Sequence, residues 1–155
     1  MSMNHPELAR SLFLQGYNCA QSVFCAFGDV TGLDRDAAAR LSSSFGGGLG
    51  RLRQVCGTVS AAAMVLGMVR GYADPNDFEA KKAHYHLVQE FARRFEDRCG
   101  SIVCRELLRG VEVAPGNDPE ARTGEYYKKR PCPNLAFLAA QILDEMLEPS
   151  QSQFD

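Results

Sequence analysis

The chain has 155 residues, 45% apolar and 23% charged, with six cysteines and a formal net charge of −2. That length suits one domain with a buried core, and the mixed, slightly acidic charge argues against a general nucleic-acid binder, which needs a basic surface. The longest apolar stretch, VCGTVSAAAMVLGMV at 55–69, falls short of the ~20 residues of a membrane span, so no membrane insertion is expected.

Apolar residues recur with helical rather than strand periodicity, so the expected fold is all-α, a compact array of six or seven unequal helices in one domain over 1–155. A first helix spans about 5–15, with Leu8, Leu12 and Phe13 inward and Gly16 as its stop. A second follows Asn18, a favoured N-cap, and runs to about Phe27. A third starts at Asp34 and stops at the glycine run GGGLG. The fourth is the apolar helix, from about Gln54 to Val69. In the fifth, Asn76 with Glu79 resembles a capping box. Phe78, Tyr85, Val88, Phe91 and Phe95 share its apolar face, and Gly100 ends it. A short sixth helix, IVCRELL, follows Ser101. A long polar connection, GVEVAPGNDPEARTGEYYKKRPCPN, leads to the last helix, NLAFLAAQILDEML, and the tail 149–155 is expected to be disordered.

Four cysteines map to predicted helix starts. Cys19 follows Asn18, Cys56 opens the apolar helix, Cys104 lies just past Ser101, and Cys132 precedes Pro133, a residue favoured at the first helical position. A helix N-terminus carries unpaired N–H groups and about half a positive charge, which favours the thiolate, the form that attacks and ligates. Lys128, Lys129 and Arg130 would push Cys132 the same way if they stay close. Cys25, six residues after Cys19 among Val23, Phe24 and Phe27, reads as core packing. Cys99 falls at a helix C-terminus, where the dipole disfavours an anion. The N-terminus lacks the pattern of a signal peptide. The expected location is cytoplasmic, where thiols stay reduced, and neither C-x-x-C nor C-x-x-C-H occurs.

GYNCAQSVFCAF, FGGGLGRLRQVCGTVSAAAMVLG, FEDRCGSIVCRELL and CPNLAFLAAQIL resemble, in order and over nearly the whole chain, the redox-active family known as C_GCAxxG_C_C. Matched motif by motif, the family's four cysteines fall on Cys19, Cys56, Cys104 and Cys132. The central motif departs from Cys-Gly-Ala-x-x-Gly: here it reads Cys56-Gly57-Thr58-Val59-Ser60-Ala61, with Thr58 and Ala61 each replacing a smaller residue. The resemblance implies a redox role and an electron-exchanging partner. A weaker likeness runs to split-Soret cytochromes, which carry an iron–sulfur cluster beside haem.

The four thiols could cycle between dithiol and disulfide, or bind a metal; four thiolates suit zinc or an iron–sulfur cluster. A second possibility is a binding module, in which Gly46, Gly47, Gly48 and Arg51 hold a small anion, helped by Arg53 and the basic KKR, or engage a partner protein. The plainer reading of the glycines is a tight connection between close helices. A third is a scaffold or oligomeric subunit. A homodimer would cover the small-residue surface of Gly57, Ala61, Ala62 and Gly67 or the aromatic face of the fifth helix. His84 reads as a hydrogen-bonded core histidine, and His5 and His86 as solvated. Catalysis is not decided by these residues, since an electron carrier needs no substrate pocket.

Overall fold

The computed structural model describes residues 4–148. The tail expected to be disordered, 149–155, lies outside them. The described residues are all-α: α1 His5–Leu14, α2 Cys19–Ala26, α3 Gly28–Thr31, α4 Arg35–Ser42 with a 3₁₀ turn at Ser43–Phe45, α5 Gly57–Arg70, α6 Phe78–Cys99, α7 Cys104–Leu107, α8 Gly124–Lys129 and α9 Cys132–Leu147. No helix among them is long and apolar enough to cross a membrane.

Side-chain caps set several starts. Asn4 accepts from the Glu7 N–H at α1. Asn18 and Gln21 form a full capping box at α2, and Asp34 accepts from Ala37 at α4. Gly16 and Gly100 take the left-handed conformation past α1 and α6, which glycine adopts without a Cβ penalty. The apolar α2 is central, packed against α1, α4, α5 and α9. It buries Ala20, Val23, Phe24 and Cys25, with α5 supplying Ala61, Ala62, Val65 and Leu66 and α9 supplying Ala136, Ala139, Ala140 and Leu143.

Several expectations need correction. The apolar helix starts at Gly57, three residues late, because Val55 instead pairs with Val103 in an isolated antiparallel bridge. Asp77, not Asn76, caps α6: its carboxylate accepts from Ala80, while the Asn76 N–H is held by Asp74. The face of α6 is only partly buried. Phe91 and Phe95 are core, but Phe78 is 72% and Tyr85 53% exposed. At 22 residues α6 is roughly 33 Å long against roughly 21 Å for the 14-residue α5 it packs on, so its N-terminal half overhangs. His84 is not a satisfied core histidine: its buried Nδ1 has no partner, and the ring meets Tyr72 edge-on. His5 is not free in solvent. It stacks on Phe27 and bridges Asp144 at 2.7 Å and Asp29 at 2.9 Å. Gly67 faces open space, whereas Gly57, Ala61 and Ala62 are buried. The single turn α3 and the six-residue α8 carry no periodic signal in the sequence and go beyond the expected helices.

Candidate thiol site

Cys19 is the first residue of α2, Cys104 of α7 and Cys132 of α9, while Cys56 is the N-cap of α5. Cys132 therefore sits one position inside its helix, with Pro131 as cap. The segments before α5 and α7 are stitched together. Cys56 N–H donates to Ile102 O at 2.8 Å, Cys104 N–H to Gln54 O at 2.6 Å and Arg105 N–H to Arg53 O at 3.2 Å. This ladder carries two of the cysteines; α2 and α9, packed on each other, carry the other two.

All four thiols line one cavity of about 70 Å³, walled also by Phe13, Arg53, Thr58, Arg122, Tyr126 and Arg130. Cys25 and Cys99 do not reach it. Cys25 is core, and Cys99 bonds back to Phe95 O at 3.0 Å at the end of α6. All six cysteines are free thiols.

Close approach to Cys19 depends on Gly57. A Cβ built there would stand 2.5 Å from Cys19 Sγ and 2.7 Å from Phe45 O. Thr58, the departure from the family pattern, is fully buried, with its hydroxyl 3.1 Å from Cys56 Sγ. Arg53 Nη1 donates to Cys104 Sγ at 3.8 Å.

The helix starts do not make Cys19, Cys56 or Cys132 acidic. Burial pushes Cys19 up, although the N–H groups of Gly47, Ala20 and Gly57 at its sulfur pull the other way. Burial also pushes Cys56 up, with negative charge on Cys19 adding to it and the Thr58 hydroxyl opposing it. Cys132 is pushed up to about 12 by burial, then by charge on Cys19, against the pull of Arg130. Losing water outweighs the field of a helix end because desolvation acts on the whole charge. Lys128 and Lys129 are exposed; of the basic run only Arg130 turns in, and it is buried.

Beside the thiol cavity lies a wider vestibule of about 370 Å³. Gly46, Gly47 and Arg51 line it, but Gly48 does not: a Cβ there would meet Cys104 Cβ at 2.7 Å and Gln54 N at 2.6 Å, so its lack of a side chain lets the glycine loop close on α7. The loop is a compact knot, with Gly47, Gly48, Leu49, Gly50, Arg51 and Arg53 all left-handed. It is the tight connection expected of the glycines, and it also forms a cavity wall. Arg122 and Tyr126 join the cavity without any signal in the sequence, and Arg53 and Arg130 take a more direct part in it than their basic character alone suggests. Tyr126 rides on α8, inside a stretch that reads as loop, and Arg122 is recruited by Phe13 O and Tyr17 O more than a hundred residues away.

A family model described as "Putative redox-active protein (C_GCAxxG_C_C)" matches residues 17–146. The chain belongs to this family. No curated protein and no solved structure matches it. This C_GCAxxG_C_C protein carries soft sulfur donors of the kind zinc and iron–sulfur clusters take. Among the described residues, however, no group of three or more His, Cys, Asp or Glu side chains is arranged to hold a metal ion.

Proposed function

We propose that this C_GCAxxG_C_C protein works through a shared thiol site made of Cys19, Cys56, Cys104 and Cys132, cycling between dithiol and disulfide. The supporting observation is the convergence of four cysteines from four separate helix starts on one cavity, while Cys25 and Cys99 stay outside it. The chemistry of burial fits this reading. A thiol pair and a disulfide are both uncharged, so neither is penalised by a dry pocket. The intermediate thiolate is the costly species, and guanidinium groups stand where it forms: Arg53 against Cys104, Arg130 and Arg122 near Cys132. Cys104, with a cation on its sulfur and a place in the cavity wall, is the attacking thiol in this reading.

Thiol counting at defined ambient potentials tests it. Wild-type protein and the Cys25→Ala and Cys99→Ala variants are expected to lose thiols reversibly in pairs. Serine at any of the four cavity positions is expected to change that count. No reversible thiol loss in the wild type would sink the reading. Anaerobic purification with visible absorption, iron and sulfide analysis tests the iron–sulfur version of the same site: colour that depends on the four cysteines would make it a cluster-bearing electron carrier instead.

A further inference from the structure

The thiol cavity and the vestibule share Asn18, Gly47, Arg53, Arg122, Tyr126 and Arg130 as walls. Four arginines, Arg51, Arg53, Arg122 and Arg130, face the vestibule, against a single carboxylate, Glu120. They come from separate stretches of the chain. Arg51 and Arg53 come from the glycine loop, Arg122 is clamped by Phe13 O and Tyr17 O, and Arg130 caps the end of α8. The positive charge is not fully spent. Glu120 pairs with Arg130 and stands 3.8 Å from Arg51. Arg51 Nη1 is nonetheless buried without a partner, and the one hydrogen bond of the Arg53 guanidinium among the described residues goes to Cys104 Sγ. Glu120 also demonstrates that a carboxylate fits between Arg51 and Arg130.

We infer that the vestibule selects small disulfides bearing carboxylates, holding their acid groups on the arginines and presenting their sulfur–sulfur bond to the cavity thiols. This rests on the dithiol reading of the site. In the step, Cys104 sulfur attacks one substrate sulfur, the substrate S–S bond breaks, and the first small thiol leaves with the proton the cysteine gave up. A second cavity thiol then attacks Cys104 sulfur. A protein disulfide forms, the mixed disulfide breaks, and the second small thiol leaves with the second proton. Two electrons pass from the protein thiols to the substrate. The size of the vestibule suits a small molecule, and a cleft of one charge sign raises encounter rates with the opposite sign by about tenfold or more.

The test uses the full, reduced chain and three small linear disulfide probes: 3,3′-dithiodipropionate (anionic), 2-hydroxyethyl disulfide (neutral) and cystamine (cationic). Each rate is divided by that of the same probe with 2-mercaptoethanol, which removes intrinsic reactivity. At low salt the anionic probe is expected to lead the cationic one by about tenfold or more, with the lead collapsing at about 0.5 M salt. Arg53→Gln is expected to shrink the lead about threefold or more, and Arg53→Lys to keep it. Glu120→Gln, which removes the built-in carboxylate, should enlarge it. General damage to the fold would move Arg53→Gln and Glu120→Gln in one direction, so opposite shifts are the signature. Equal normalised rates for the three probes, or parallel shifts in the two variants, overturn the inference while leaving the dithiol reading intact. No reaction with any probe overturns the dithiol reading itself.

Discussion

Gly57 has no room for a side chain. A Cβ at this position would stand 2.5 Å from Cys19 Sγ, with the Phe45 carbonyl closing the other side, and neither neighbour is a flexible tip. Gly57→Ala is therefore expected to destabilise by about 1–3 kcal/mol, the usual range for overpacking a core, and to push the Cys19 thiol out of place. Urea unfolding reads the first effect and the rate of Cys19 alkylation the second; a variant with wild-type stability and alkylation would refute both. Thr58 acts differently. Its hydroxyl, together with its backbone N–H, pulls Cys56 back against burial, so Thr58→Val keeps the shape and loses the side-chain bond. Cys56 should then titrate at still higher pH, seen as slower alkylation on the alkaline limb. The raised thiols also set an alkaline limit on stability. A cysteine whose folded pKa exceeds its unfolded one contributes fully below the unfolded value and loses that contribution as pH rises through the folded one. For Cys132 the window runs from 9.0 to about 12, at about 1.4 kcal/mol per pH unit. Denaturation midpoints should fall across it, less steeply in Cys132→Ser.

At the scale of elements, the least expected tie is His5. It joins the start of α1 to Asp29 in α3 and Asp144 in α9. Partial burial lowers its pKa, but the hydrogen bonds and charges of the two carboxylates outweigh this and leave it raised. Asp144 is itself raised by burial, against the pull of His5. The histidine's contribution is present below its ordinary 6.5 and fades as pH climbs through the raised value. His5→Gln is expected to lower stability by about 1–2 kcal/mol near pH 6 and by less near pH 8.5; the same loss at both would show that the charge on the ring is irrelevant. Helix α6 offers the contrary case. Its Arg98 grips Glu145 of α9 in a two-pronged pair at 2.6 and 2.7 Å, but its first turns overhang, so Phe78→Ser should leave the unfolding midpoint where it is.

For the whole molecule, the helical plan is legible because its starts and stops are chemical: Asn18, Asp34, Gly16 and Gly100 announce themselves. The four cavity cysteines are legible for the same reason, being first or cap residues of their helices. The raised pKa of Cys19, Cys56 and Cys132 is not. Sequence reveals a helix end but not how much water reaches it, and water decides. The cavity roles of Arg53, Arg122, Tyr126 and Arg130 stay hidden because these residues occupy aperiodic stretches and find partners far along the chain. Gly48 illustrates the limit well: adjacency groups it with Gly46 and Gly47, yet its neighbour in space is Cys104.

The short ladder joining 53–56 to 102–105 has a consequence for isotope exchange. Apart from the first residues of α7, neither segment belongs to a helix at its paired positions, and by appearance both are connecting loop. Yet the amides of Cys56, Cys104 and Arg105 are closed by bonds to the opposite segment, and two of the four sulfurs hang from them. Placed in heavy water, these amides should retain hydrogen as long as those of the buried helices, marking out a rigid seam from which half of the sulfur cluster is suspended.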